Sequence, residues 1–175
     1  MGEDHTIRAV ERLRIDALYG KKKHFNAADR KERCNTYIGI SLIVANAVIA
    51  SNLAYMFISE IRTFGVIIGI IGLIATVLAI IQAFFNFSRM VEQHRMVAAK
   101  YLHIVKACSR VKAYHQDGIL SADELRERLD TLAREYEQIT ESAVCLSTNQ
   151  DDYKKARRGF EGGEERYSPE EYQEE

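Results

Sequence analysis

Tyr37 to Ile58 reads YIGISLIVANAVIASNLAYMFI, and Phe64 to Phe85 reads FGVIIGIIGLIATVLAIIQAFF, with SEIRT between them. Each run matches the ~20 residues that a helix rising ~1.5 Å per residue needs to cross a ~30 Å hydrocarbon core. Glu60 and Arg62 are the only ionised residues from Tyr37 to Phe87. The pattern predicts two membrane-crossing helices, over about 37–58 and 64–87, joined by a tight turn at Ser59 to Thr63. A soluble hairpin this apolar on every face would need far more surrounding protein than a 175-residue chain supplies.

Outside that block the chain is densely charged. Lys and Arg number 24 against 25 Asp and Glu, for a net charge of -1. That balance carries no nucleic-acid signature, so no nucleic acid is expected as a partner. Lys21, Lys22, Lys23, Arg30, Lys31 and Arg33 precede the first span, while Arg89, Arg95, Lys100, Lys106, Arg110 and Lys112 follow the second. Cations on both flanks predict that both termini are cytoplasmic, in a multi-pass protein of the plasma membrane. A loop so short leaves no room for an external receptor domain. Cys34, Cys108 and Cys145 are odd in number and widely spaced, which reads as reduced cytosolic thiols without a zinc or redox motif. No cleavable signal sequence is expected, and MGEDHT is only a loose match to a myristoylation pattern.

Polar residues inside the spans are costly in hydrocarbon unless they meet a partner or water. Asn46, Asn52, Gln82 and Asn86 are therefore candidate pore-lining residues, beside Ser41, Ser51 and Thr76. Asn46 and Asn52 fall on different sides of the first helix. Gln82 and Asn86 share a face that continues through Arg89 and Gln93 to Lys100, which fits either a pore mouth or interhelical hydrogen bonds followed by a solvated face. Gly65, Gly69 and Gly72 offer small-residue spacing for close helix approach.

Neither Gly nor Pro lies between Gly72 and Asp117, so the second span is expected to continue as one long helix. Phe87, Met90, His94, Val97, Tyr101, Ile104, Cys108 and Val111 recur in alternating steps of three and four, a seam suited to a helical bundle. Gly118 supplies a stop, and Ser121 with Glu124 a capping box. Leu125, Leu129, Leu132, Tyr136, Ile139, Ala143 and Leu146 then repeat the alternation, predicting an αα-hairpin. His94, Tyr101, Leu125, Leu129, Leu132, Tyr136 and Ile139 are the candidate cytoplasmic assembly seam. Thr6 to about Lys31 is helical in character, with Gly20 its one weak point. Residues from Ser147 contain the basic cluster Lys154, Lys155, Arg157 and Arg158 and an acidic end, too poor in apolar surface to order.

The expected architecture is an all-α, oligomeric membrane protein with a transmembrane hairpin and a cytoplasmic helical bundle. It divides into an N-terminal cytoplasmic helix (1–36), the hairpin (37–87), a cytoplasmic helical hairpin continuing the second span (88–146) and a flexible charged tail (147–175). No glycine-rich nucleotide loop, Gly-x-Ser-x-Gly elbow or HExxH is present, and His24, His94 and His103 lack metal-ligand spacing. No enzyme activity, catalytic residue, metal or cofactor is therefore expected. His94, on an apolar seam, reads as a hydrogen-bonded packing residue.

ALYGKKKHFNAADRKERCNTYIGI before the hairpin and FFNFSRMVEQHRMVAAKYLHI after it carry a family likeness. With two spans and a minimal loop, His24, Ala27, Ala28 and Asn35 on one side and His94, Arg95, Ala98, Ala99 and Tyr101 on the other resemble the SLATT family. These are two-span effector domains associated with bacterial nucleotide-second-messenger synthases and SLOG sensor proteins, and the likeness runs from Ala17 to Ala143. It implies an anti-phage effector of the bacterial inner membrane that oligomerises and permeabilises the lipid bilayer. The implied trigger is a nucleotide second messenger or a partner sensor or synthase protein. The competing reading is a non-conducting membrane scaffold whose cytoplasmic helices recruit a soluble partner.

Overall fold

A computed structural model describes residues 2–56 and 65–164, with side chains described over 5–51 and 65–164. The expected turn at Ser59 to Thr63 and the acidic end beyond 164 lie outside the described residues, as does the side chain of Asn52. Every regular element described is an α-helix: α1 (Gly2–Met56), α2 (Gly65–Phe85), α3 (Phe87–Gln116), α4 (Ala122–Ser142) and α5 (Gln150–Glu161). α1 runs through position 36 without a break, because neither proline nor a turn signal separates the charged segment from the apolar one. Two compact units result, one from the residues up to Ala28 together with those from Glu92 onward, the other from Asp29–Val91.

In the first unit a single core joins four helices. α1 contributes Val10, Ala17 and Leu18, α3 contributes Tyr101, Ile104 and Cys108 among others, α4 with its C-cap contributes Leu125, Leu132, Ile139 and Ala143, and Phe160 of α5 packs against them. Each large aliphatic side chain taken out of water here contributes roughly 1.5–3 kcal/mol. Helix ends follow the expected chemistry. Gly118 takes a φ of 68° after α3, which costs glycine nothing. The Ser121 hydroxyl accepts from the Glu124 N–H, and the Glu124 carboxylate accepts from the Ser121 N–H at 2.8 Å, completing the box that starts α4.

Within the segment from Ser147 expected to be a flexible tail, the described residues form a helix. Asn149 and Asp152 make a second capping box, with Asp152 N–H donating to Asn149 Oδ1 at 2.8 Å, and α5 follows. α5 is held to α1 by aromatic contact. The Tyr19 ring stacks on Tyr153 at 5.6 Å and meets the edge of Phe160 at 4.7 Å. Lys22 places its ammonium 4.6 Å from the Phe160 centroid and also pairs with Glu164. Three aromatic rings and one cation supply the burial that the scarcity of aliphatic residues concealed.

In the apolar part of α1 within the second unit the less exposed positions are Ile38, Gly39, Leu42, Ala45 and Ile49. On α2 they include Ile68, Ile71, Gly72, Ala75, Leu78 and Gln82. Both sets step by three and four residues, so each helix presents one stripe to the other. A Cβ on Gly72 would sit 3.9 Å from Ile49 Cδ1, whereas Gly65 and Gly69 have nothing within 4 Å. Of the three expected packing glycines, only Gly72 meets a neighbour across the hairpin among the described residues. The long apolar side chains point outward, with Ile43 70%, Val66 72%, Leu73 67% and Phe84 81% exposed.

Between α2 and α3 lies a single interruption. Asn86 adopts φ 42°, a left-handed conformation asparagine tolerates better than most residues. The hydrogen-bond ladder passes straight through it: Asn86 N–H donates to Gln82 O and Met90 N–H to Asn86 O, both at 3.2 Å. The second span does continue into the following helix, with a local unwinding at one residue.

Candidate functional site

α1 and α3 bring His24 and His94 together in the first unit. Their Nδ1 atoms are 3.0 Å apart, with ring centroids at 5.2 Å and side chains 2% and 0% exposed. A contact this short between two imidazole nitrogens requires one Nδ1 to carry the proton and the other to accept it. Burial, the neighbouring His94 and the Lys23 cation push the His24 pKa down to about 4, partly opposed by Asp152. His24 is therefore neutral near pH 7.

Tyr101 closes over this pair. Its ring lies 5.9 Å from His24 and 5.5 Å from Tyr136, and its hydroxyl is 3.0 Å from Thr140 Oγ1. Gly20, the expected weak point of α1, is where that ring sits. A Cβ there would fall 3.0 Å from the Tyr101 ring carbons. The sequence cost of glycine in a helix interior is offset by seating a large aromatic against backbone. On the other side of His24, Asn26 donates to the Asp152 carbonyl at 2.9 Å, fastening the start of α5 to α1. Nothing in the sequence places Asp152 near His24. A sign of α5 was readable all the same, in Asn149 three residues before Asp152 and in the Tyr153, Ala156, Phe160 spacing.

The candidate assembly seam falls inside one subunit. His94, Tyr101 and Leu125 are fully buried, Leu132 and Ile139 nearly so, and Leu129 and Tyr136 pack partly buried against the same core. α1 covers these residues, its Val10, Ala17 and Leu18 joining the same core, in keeping with a helix over Thr6 to about Lys31 that packs beside α3. In this structure they pack within one chain.

The four span amides divide. Gln82 donates to Asn35 Oδ1 at 3.0 Å, and Asn35 donates to Ser88 Oγ at 3.4 Å, so α1 and α2 are tied by a polar cluster at one end of the apolar seam. Asn86 Oδ1 accepts from the Arg89 N–H at 3.4 Å and serves the left-handed turn. Asn46 is exposed on the apolar surface of α1. No group of three or more metal-ligating side chains occurs among the described residues.

A family model for the SMODS and SLOG-associating 2TM effector domain family 4 matches residues 9–171. The chain belongs to this SLATT family. No curated protein and no solved structure matches the chain significantly. α1 and the continuous α2–α3 segment are each long and apolar enough to cross a membrane, in keeping with the two transmembrane segments of the family name.

The residues that carry the SLATT resemblance are mostly packing residues. Ala27, Ala28 and Ala98 are 0% exposed, so backbone comes close at the same level as the histidine pair. Asn35 belongs to the polar cluster of the hairpin, and Arg95 and Ala99 are exposed. An open groove of about 630 Å³ lies between α3 and α4 of this SLATT chain, lined by His103, Arg110, Tyr114, Glu127, Arg128 and Glu135 among others. Both signs of charge meet there, which suits a polar protein surface better than a compact anion.

Proposed function

We propose that the protein is a membrane effector of bacterial anti-phage defence that assembles from several copies and permeabilises the inner membrane. The observation that carries this reading is the hairpin itself. Two apolar helices form a narrow seam with each other and leave most of their long side chains outward, so one chain encloses no aqueous path. Flux across a bilayer requires copies to combine. Cations on both flanks put both termini in the cytoplasm, where the first unit can receive a signal.

Triggering follows the logic of population shift. A nucleotide signal or partner protein that binds one arrangement of the cytoplasmic helices better than another moves closed assemblies toward open ones. No catalytic step or cofactor enters this mechanism, and the membrane lipid is the target.

The open groove between α3 and α4 supports a second reading, a non-conducting scaffold that recruits a soluble partner. Purified protein in liposomes separates the two. Ion flux from a defined oligomer, altered by a nucleotide signal, supports the effector. Correctly assembled protein that stays silent with every signal while capturing a partner through the groove supports the scaffold.

A further inference from the structure

Most polar side chains of the described span residues are hydrogen-bonded locally. Ser51 Oγ donates to Ala47 O and Thr76 Oγ1 to Gly72 O, both at 2.8 Å, within their own helices. Ser41 carries one hydroxyl near the start of the span, able to turn to its own helix in the same way. Gln82 is taken by Asn35, and Asn86 by Arg89. Asn46 makes no hydrogen bond within the described residues and is exposed, on an apolar helix.

Depth makes this expensive. Nine residues beyond Tyr37, Asn46 lies about 14 Å into the span, near the middle of a ~30 Å hydrocarbon core. Neither headgroups nor bulk water reach it. Its amide has two donors and an acceptor, all costly to leave in lipid. Ala47 and Ala50 beside it are small and exposed, so another helix can come close, and Ile43 one turn back is 70% exposed.

We propose that Asn46 lies in an interface between copies of this chain, where its amide pairs with the Asn46 amide of a second copy. A primary amide is both donor and acceptor, so the same residue from two chains satisfies itself, which a lipid tail cannot do. This rests on the proposed membrane effector for its setting. It reassigns Asn46 from a pore-lining position to a contact between subunits.

Cysteine cross-linking in liposomes tests it on the full chain. Exposed Cys34 and Cys145 are replaced by Ser, and buried Cys108 is left in place. Asn46→Cys is then oxidised beside Val44→Cys, which is exposed on the far side of α1. Rapid disulfide-linked dimer at 46 and little at 44 is expected, since a disulfide forms only where Cβ atoms approach to about 4 Å. Ala50→Cys, one turn on, repeats the test should the first variant insert poorly. In parallel, Asn46→Leu should weaken association on the order of 3- to 30-fold, while Asn46→Gln retains it.

Absence of cross-linking at both 46 and 50, equal cross-linking at 44, or unchanged association of Asn46→Leu would overturn the interface. Flux is read separately. Cross-linked but silent oligomers keep this interface and remove the pore, whereas flux without cross-linking at 46 or 50 does the reverse.

Discussion

In the unit formed by residues up to Ala28 and from Glu92 onward, large side chains such as Tyr101, Ile104 and Leu125 are buried, and the surface is charged. In the Asp29–Val91 unit the order is turned over: Gly39, Ala45, Gly72 and Ala75 line the seam, while Ile43, Leu73 and Phe84 face outward. The difference follows from solvent. Water expels apolar surface, so the first unit gains by burying its largest residues. Lipid is as apolar as leucine, so the second gains chiefly by close approach and by pairing its few amides.

Breaking the water-driven core should have the largest effect. Tyr101→Ala removes a ring packed on Gly20, His24 and Tyr136 together with the hydroxyl contact to Thr140, and should cost about 3–5 kcal/mol. Denaturation of the detergent-solubilised protein, followed by tyrosine fluorescence, reports this. Membrane insertion of the same variant should persist, and its loss would show that the two units do not fold separately.

Acid should act next, and on the first unit alone. His24 has a folded pKa of about 4 against 6.5 for the free side chain, so the unfolded chain binds the extra proton more readily. Stability is full above pH 6.5, declines as pH falls toward 4, and loses on the order of 3 kcal/mol across that window. His24→Asn should flatten the decline between pH 6.5 and 5, above the range where most carboxylates titrate. An unchanged slope would remove the histidine pair as its source.

Smaller effects sharpen the contrast at matched chemistry. Asn149→Ala removes a helix cap in the first unit and should cost about 1 kcal/mol, releasing α5 to protease before the rest of the bundle. Gln82→Leu removes an interhelical hydrogen bond in the second, where such bonds average about 0.6 kcal/mol. Helix–helix distance by spin labels across the hairpin should therefore change little. A large separation would show that the Asn35, Gln82 and Ser88 cluster governs hairpin geometry.

Much of the helical architecture was legible. Charge vacancy marked the spans, three-four alternation marked α3 and α4, and Ser121 with Glu124 marked a start that the structure bears out. α5 was read as tail because its anchoring comes from aromatic rings and a cation meeting Tyr19 and Lys22, more than a hundred residues earlier. The seam residues were visible as apolar, yet periodicity alone does not say whether the surface covering them belongs to the same chain or another.

The sequence by itself determined that this chain has two helices apolar enough to enter a membrane, that charged helical segments flank them, and that its motifs resemble the SLATT family. Each of these is a property of local composition and spacing, which survives without knowing any contact. Tertiary structure alone decided that His24 meets His94, that Gly20 seats Tyr101, and that of the span amides Gln82 is already taken while Asn46 is open. Those outcomes depend on which faces of distant segments come together, and packing across 70 residues of intervening chain leaves no periodicity to read.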